Sequence, residues 1–305
     1  MRRSPVIAEA FRLGDDAMEQ LGPDQLNKLW RSVERKEITE EEYALQEEKM
    51  LDAYSSVWRR ALLLEGHTDL QESLLEELSR YFGCADIAAI RRRCQSAVHA
   101  IKEAWHEKTN RITDRTAVEE FYNYNQDMLF ELMWWHSLED DTDPLGYVTA
   151  LHFAKQHGCR SFLDFGAGVG AGGILFARHG FEVTLADISS ALLSFSKWRL
   201  DLRKLEGEYI DLKAQGFPRE AFDFVTAMDV FEHLYDPVAA VEDLGRAMKP
   251  GAYLFARLHA DANEDRPLHI VKDFGPVFRR LGELGFKEVW RDDWVWGHHV
   301  FQKPR

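Results

Sequence analysis

Three glycines spaced two residues apart are the part of this sequence that points most directly to chemistry. Gly166, Gly168 and Gly170 follow the apolar run 161–165, SFLDF, and precede the apolar stretch 171–177. Glycines let a ligand approach the backbone closely, and the N–H groups that begin the next helix would face the same ligand. The pattern predicts a turn that binds a nucleotide-containing cofactor.

The glycine turn by itself fits two kinds of cofactor. It matches Gly166-x-Gly168-x-x-Ala171, the fingerprint of dinucleotide binding, and equally Gly166-x-Gly168-x-Gly170 with an acidic residue before it. Asp187 ends the next apolar run, where a carboxylate can accept hydrogen bonds from both hydroxyls of a ribose. Because Asp187 fits both cofactors, the choice depends on the rest of the chain.

The composition favours a protein that handles small molecules in a reducing compartment. The 305 residues carry a formal net charge of −14, whereas duplexes and anionic membranes are bound by clustered lysine and arginine. The three cysteines are too few and too scattered for a disulfide framework or a zinc cluster. The sequence shows no export signal and no membrane-spanning run. We therefore expect a cytoplasmic protein with a small-molecule substrate, and neither nucleic acid nor a membrane as a partner.

The chain is expected to divide into residues 1–145 and 146–305. The first part has helical periodicity and helix-start signals, such as Thr39 with Glu42 and Thr68 with Gln71. The second part alternates short apolar runs with stretches long enough for crossover helices. These apolar runs lie at 162–165, 182–186, 222–227, 252–256, 287–290 and 300–303. The pattern predicts an α/β fold with a doubly wound, mainly parallel sheet, preceded by an all-α domain.

Two later segments decide between the cofactors. Residues 222–237, FDFVTAMDVFEHLYDP, and 244–254, LGRAMKPGAYL, follow the glycine turn in that order. The succession resembles the class I S-adenosylmethionine-dependent methyltransferases, from about residue 150 to the end. The resemblance implies a Rossmann-like, seven-stranded sheet and S-adenosylmethionine as cofactor. Two positions depart from the family pattern: Ala252 replaces the second glycine of a Lys-Pro-Gly-Gly turn, and Ala167 stands where cysteine is frequent.

The resemblance also implies the residues of the cofactor site. The amino-acid part of the cofactor would be held by the turn and the acid before it, Asp164, Gly166, Gly168 and Gly170. Asp187 would bind the ribose and Ile188 would pack against the adenine. Asp211 would lie near the adenine amino group, although its surroundings, DLKAQGFP, depart from the family wording. Asp229 follows the strand 222–227, at the rim where ligands of open α/β sheets bind.

Methyl transfer from a sulfonium needs few catalytic groups, because positioning of the reactants and desolvation of the nucleophile supply most of the acceleration. A general base is optional, and the candidates in the rim segments are His233, His259 and His269. Glu232 is a further candidate, but a capping or salt-bridging role in the first turn of a helix would explain it equally well. We expect no required metal, since the adjacent His298 and His299 would lie on opposite faces of a strand.

The aromatic segment before the sheet has two interpretations. Tyr122 and Tyr124 belong either to the core of the last helix or to a lid over the cofactor, as helical extensions of this family often form. Aromatic faces attract a sulfonium through cation–π contacts worth on the order of 0.5–2 kcal/mol each. The lid interpretation makes Tyr122 a catalytic candidate and Tyr124 a cofactor contact. The same helices could equally form a homodimer interface, and the sequence leaves that choice open.

Four functions compete at this stage. The leading one is methyl transfer to a small-molecule nucleophile under a helical lid. The alternative is aminocarboxypropyl transfer or cyclisation from the same cofactor, which releases methylthioadenosine instead of S-adenosylhomocysteine. A nicotinamide oxidoreductase is disfavoured by the segments around Asp223 and Lys249. A non-enzymatic interaction module is disfavoured by the intact glycine turn with Asp164 and Asp187.

Overall fold

The computed structural model describes residues 23–109, 115–260, 266–292 and 296–305. Its first part is helical, and a short 3₁₀ helix, Asp143–Leu145, leads from there into the helix before the sheet. These helices are α1 (Pro23–Glu34), α2 (Glu40–Leu62), α3 (Leu70–Phe82), α4 (Ile87–Thr109), α5 (Arg115–Tyr124), α6 (Asp127–Trp135) and α7 (Gly146–Gln156). The helical character predicted for this part is thus confirmed over the described residues.

Local capping explains where two of these helices begin. At α2 the predicted capping box is confirmed, with Thr39 Oγ1 accepting from Glu42 N at 3.1 Å and Glu42 Oε2 accepting from Thr39 N at 2.9 Å. At α3 the prediction is wrong by one residue, because Asp69 rather than Thr68 caps the helix and accepts from Glu72 N at 2.8 Å. An aspartate carboxylate is the stronger cap, so it takes the N-cap position.

The second part is built on one seven-stranded sheet, which confirms the predicted fold class. The strand order is β3-β2-β1-β4-β5-β7-β6; β1 to β5 are parallel, and β7 runs antiparallel between β5 and β6. The strands are β1 (Ser161–Phe165), β2 (Glu182–Asp187), β3 (Glu208–Asp211), β4 (Phe222–Ala227), β5 (Met248–Arg257), β6 (Lys287–Arg291) and β7 (His298–Gln302). The remaining helices are α8 (Ala171–Arg178), α9 (Ser190–Leu202), α10 (Pro237–Ala247) and α11 (Gly275–Glu283).

The strand order places the ligand-binding crevice. β1 pairs with β2 on one side and with β4 on the other, so the chain reverses its direction of winding at β1. Open α/β sheets bind ligands at such a switch point, beyond the carboxyl ends of the strands. The glycine turn follows β1 at this edge, and Asp229 lies two residues beyond the end of β4.

The helical part and the sheet share buried side chains. One hydrophobic cluster contains Trp58 and Leu74 from α2 and α3 together with Phe162 and Phe176 from β1 and α8. The indole Nε1 of Trp58 also donates to the carbonyl of His136 at 2.9 Å. The division at residue 145 stays a prediction, and packing is continuous across it. No helix among the described residues combines the length and apolar character needed to cross a membrane.

Candidate active site

A cavity of 1290 Å³ opens at the carboxyl edge of the sheet. Its floor is formed by the glycine turn and by residues after β2 and β4, and its cover by α4, α5 and α6. The segment 266–269 closes another side. The cavity therefore lies between the helical part and the sheet, at the place that the strand order marks.

The glycine turn forms part of the cavity wall through its backbone. Gly166, Gly168 and Gly170 have φ values of 74°, 52° and 74°, in the left-handed region where glycine is favoured. Gly166 and Gly168 line the cavity. Gly170 faces helix α9 instead, because a Cβ there would lie 2.8 Å from the Cβ of Ser196. Two of the three predicted glycines thus meet the ligand space, and the third allows close packing behind it.

Asp187 lines the cavity and also fixes the shape of the turn. Its Oδ2 accepts from Gly168 N and its Oδ1 from Ser189 N, both at 2.8 Å. Burial raises the pKa of this carboxyl, although these backbone N–H groups oppose the shift. Each carboxylate oxygen keeps further acceptor capacity for a ribose hydroxyl. Ile188 lines the cavity beside it, as the family pattern implies.

Asp164 and Asp211 lie outside the cavity wall. Asp164 is fully buried behind the turn, where it accepts from Tyr147 Oη at 3.0 Å and from Thr226 Oγ1 at 2.8 Å. Burial raises its pKa to about 7. Asp211 ends β3 and accepts from Ser190 Oγ at 2.6 Å, with 30% of its side chain exposed. Their predicted direct contacts with the cofactor stay predictions, and the geometry gives both residues structural partners.

Arg257, Asp229 and Asp143 form a charged cluster on the cavity wall, and of the three only Asp229 was predicted from the sequence. One guanidinium nitrogen of Arg257, Nη1, is 2.8 Å from Asp229 Oδ1 and 2.7 Å from Asp143 Oδ2. Burial raises the pKa of Asp229 even though Arg257 opposes the shift. Asp229 has a φ of 51°, which is uncommon for a residue with a side chain and is found at functional sites. Asp143 and Arg257 were not predicted, because only the folded chain brings them together.

Tyr122 joins the helical cover to the rim of the sheet. Its hydroxyl lies 2.9 Å from His233 Nδ1, which is also 3.0 Å from the carbonyl oxygen of Leu268. A carbonyl only accepts, so this pair of contacts assigns the proton to Nδ1 and leaves the lone pair of a neutral ring on Nε2. Burial, together with the charges of Glu232 and Glu131, raises the pKa of Tyr122 well above its usual value. Tyr122 and His233 both line the cavity.

The other predicted candidates divide between the cavity and the surface. His269 lines the cavity, and its ring lies 4.8 Å from that of His233 in an edge-to-face arrangement. His259 is exposed and lies outside the cavity wall. Tyr124 is 71% exposed and also lies outside it, because two residues along a helix turn the side chain to the opposite side from Tyr122. The roles predicted for His259 and Tyr124 stay predictions, and neither side chain lines this cavity.

Glu131 is a cavity residue that sequence reasoning missed. It lies on α6 and lines the cavity, and burial, with the nearby charge of Asp229, raises its pKa to about 7. A group with that pKa can gain or lose a proton near neutral pH. Its only signal in the sequence is a single acid within the apolar run MLFELMWW.

Comparison with known proteins agrees with the cofactor site formed by the glycine turn and Asp187. Residues 163–256, which run from β1 to β5 and include the turn and Asp187, match the family model described as "Methyltransferase domain". This part of the chain is a class I S-adenosylmethionine-dependent methyltransferase domain. The helical part before it lies outside the match.

Ubiquinone biosynthesis O-methyltransferases are among the curated relatives of this methyltransferase domain. A ubiquinone biosynthesis O-methyltransferase of Stutzerimonas stutzeri is 29% identical over 40% of this chain and 56% of its own. That of Albidiferax ferrireducens is 33% identical over 40% of this chain and 52% of its own. The chain thus spans about half the length of the curated relatives it matches. Among solved structures, the N-methyltransferase NodS of Bradyrhizobium japonicum with S-adenosylhomocysteine is 20% identical, with a TM-score of 0.49 over 63% of this chain and 100% of that one.

The methyltransferase domain fits S-adenosylmethionine, the cofactor of its family. A Cβ at Gly166 would lie 2.4 Å from Val230 Cγ2, so the turn admits only glycine at that point of the wall. Carboxylates of Asp187, Asp229 and Glu131 line the same space and suit a cofactor that carries sulfonium and ammonium charges. Glycine backbone, ribose acceptor and acidic wall are therefore present together.

Proposed function

We propose that this protein transfers a methyl group from S-adenosylmethionine to a small molecule held in the cavity under helices α4, α5 and α6. The observation that carries the proposal is the 2.9 Å contact between Tyr122 Oη and His233 Nδ1. It joins a helix of the cover to the segment after β4, directly over the cavity whose wall includes the glycine turn.

A second set of contacts supports the role of α5 as a lid. Asn123 Oδ1 accepts from Ser190 N at 3.2 Å and from Lys213 Nζ at 2.5 Å. Lys213 Nζ also donates to the carbonyl of Ile188 at 2.7 Å. Helix α5 is therefore tied by hydrogen bonds to the segments after β2 and β3, next to Asp187 and Ile188 of the cavity wall.

A small acceptor suits this enclosure better than a macromolecule. The space is bounded by the sheet edge, three helices and the segment 266–269, and its lining mixes apolar side chains with charged groups. Pockets of this kind orient a small ligand through a few polar contacts. The curated relatives are named O-methyltransferases, so an oxygen acceptor is the first class to test.

The protein's own groups would bind, orient and desolvate the reactants. Asp187 would hold the ribose and keep the glycine turn in shape, and Tyr122 would keep water from the reacting atoms. When bound, the sulfonium cofactor supplies an already activated methyl group. An acceptor hydroxyl that must lose a proton would have the basic Nε2 of His233, and the carboxylate of Glu131, within the same cavity.

Product analysis tests this proposal against its chemical alternative. The protein is incubated with S-adenosylmethionine and pools of phenols, hydroxy acids and amines, and the nucleoside products are identified by mass spectrometry. S-adenosylhomocysteine together with an acceptor heavier by one methylene is the expected result. Methylthioadenosine would instead indicate attack on the aminocarboxypropyl chain and overturn the proposal. Protein with Asp187→Ala controls for background turnover.

A further inference from the structure

Two histidines and a glutamate meet at one side of the cavity. The ligand atoms of Glu232, His233 and His269 all lie within 4.8 Å of one another. All three residues line the cavity, and Glu232 is only 4% exposed. Two imidazoles and one carboxylate are a donor set that first-row divalent cations prefer, with positions left open for further ligands.

The segments that carry these residues are held together by backbone hydrogen bonds. The carbonyl of Glu232 accepts from Ile270 N at 2.9 Å and from Val271 N at 3.1 Å. The short 3₁₀ helix Phe231–His233 and the stretch that contains His269 are therefore fixed side by side. Donor atoms around one ion lie about 3–3.5 Å apart, so modest side-chain rotation suffices to complete a site.

His233 has the kind of hydrogen-bond partner that a metal-bound histidine commonly has. Its Nδ1 faces the carbonyl of Leu268 at 3.0 Å, which leaves Nε2 with the lone pair. Metal-bound histidines commonly donate their other ring N–H to a carbonyl or carboxylate, which fixes the tautomer and the ring. The contact with Leu268 is such a partner, and Tyr122 Oη lies 2.9 Å from the same ring nitrogen.

We propose that Glu232, His233 and His269 bind one first-row divalent cation, with Zn²⁺ as the leading candidate, through the carboxylate, the Nε2 of His233 and a ring nitrogen of His269. Because all three residues line the cavity, the ion would be within reach of an oxygen donor of the acceptor; this last role rests on the proposed function, whereas binding of the ion does not. The site departs from the expectation, drawn from sequence, that no metal is required. With the ion on Nε2 of His233, the base of the proposed function would be Glu131 alone.

Metal binding is measured directly on the full chain, without turnover. The chelator-treated protein is titrated with Zn²⁺ by calorimetry and with Co²⁺ by visible absorption, and both are repeated with His269→Ala and Glu232→Gln. We expect one ion per chain and a Co²⁺ absorption band of a nitrogen–oxygen site. Each variant should weaken binding by roughly tenfold or more while melting and S-adenosylhomocysteine binding persist.

His99→Ala is the matched control. His99 is 77% exposed, with Glu103 Oε1 3.2 Å from its Nε2, so it represents an ordinary surface histidine–glutamate pair. Its loss should leave the affinity of the proposed site at Glu232, His233 and His269 unchanged. Absence of stoichiometric binding, or binding that His269→Ala and Glu232→Gln leave intact, overturns the proposal.

A chelator experiment separates this inference from the proposed function. If methyl transfer occurs and the ion holds the acceptor, removal of the metal should abolish turnover and leave cofactor affinity unchanged. Turnover that survives in fully metal-free protein overturns the ion's role in the reaction. A stoichiometric ion without any methyl transfer would refute the proposed function and leave the site standing.

Discussion

Arg199 lies fully buried against Glu77, with Nε 2.8 Å from Oε2, although 122 residues separate the two in sequence. The same guanidinium donates through Nη1 to the carbonyl of Val169, in the glycine turn, at 2.8 Å. Arg203 adds a contact of 2.6 Å from Nη2 to Glu77 Oε1. A carboxylate of helix α3 in the helical part thus holds, through Arg199, the backbone of the cofactor turn.

Glu77→Gln should destabilise the protein strongly, because two buried guanidinium groups would lose their counter-charge. Breaking a buried ion pair from one side costs about 3–5 kcal/mol. Glu76→Gln is the control, since its pair with Arg80 is partly exposed and worth well under about 1 kcal/mol. Denaturant unfolding of both variants at pH 7 measures the difference. Equal losses would show that the buried pair contributes no more than a surface one.

The effect of Glu77→Gln should also depend on pH. Burial opposes ionisation of Glu77, but the charges of Arg199 and Arg203 outweigh it and lower the pKa of this carboxyl. Its contribution to stability is therefore present above the unfolded-state pKa of 4.5 and is lost as the pH falls through the folded-state pKa. The two unfolding free energies should converge in acid.

Asp187→Ala should weaken S-adenosylhomocysteine binding by about 2–4 kcal/mol, or roughly 30- to 700-fold in Kd, if two charge-assisted hydrogen bonds to the ribose are lost. Because Asp187 also accepts from Gly168 N, part of that loss would come from the turn itself. Asp187→Asn separates the two contributions, since an amide retains one acceptor oxygen. Calorimetry that finds unchanged affinity in Asp187→Ala would refute the assignment of the cofactor site.

Asp211→Ala should have a smaller effect on cofactor affinity than Asp187→Ala. The family resemblance placed Asp211 near the adenine, but its carboxylate contacts Ser190 and Lys213 and lies outside the cavity wall. A change of less than about threefold in Kd is expected for a partly exposed carboxylate of this kind. A loss of affinity as large as that of Asp187→Ala would instead show that Asp211 contacts the adenine.

Features encoded by a contiguous motif were predicted from the sequence, whereas features that depend on the tertiary fold were not. The glycine turn and Asp187 were found because a contiguous motif encodes their geometry, whereas Arg257 and Asp143 meet only through the tertiary fold. Strand β3 escaped notice because its four residues are mostly accessible at the sheet edge and lack a continuous apolar run. Glu131 was hidden because one acid in an apolar helix shows its role only when the helix covers a cavity.

Tyr122→Phe should reduce turnover more than it reduces stability. The variant retains the ring but loses the hydroxyl that meets His233 at 2.9 Å, so the lid loses its contact with the rim. A neutral hydrogen bond is worth about 1 kcal/mol, which predicts a small change in Tm. Tyr124→Phe is the control, because Tyr124 is 71% exposed and should change neither quantity. Parallel losses of Tm and kcat in Tyr122→Phe would favour the core interpretation of this segment.

Glu131→Gln should stabilise the protein at alkaline pH and change little in acid. Burial first, and then the charge of Asp229, raises the pKa of Glu131 from 4.5 to about 7. A raised carboxyl pKa means that the folded state disfavours ionisation, so stability is lost as the pH rises from 4.5 through 7. The glutamine cannot ionise and escapes this loss. Melting curves of the ligand-free protein at pH 5, 6, 7 and 8 should show a Tm difference that grows with pH in favour of Glu131→Gln. A difference independent of pH would mean that Glu131 ionises with an ordinary pKa, and it would remove this residue from the groups able to exchange a proton at neutral pH.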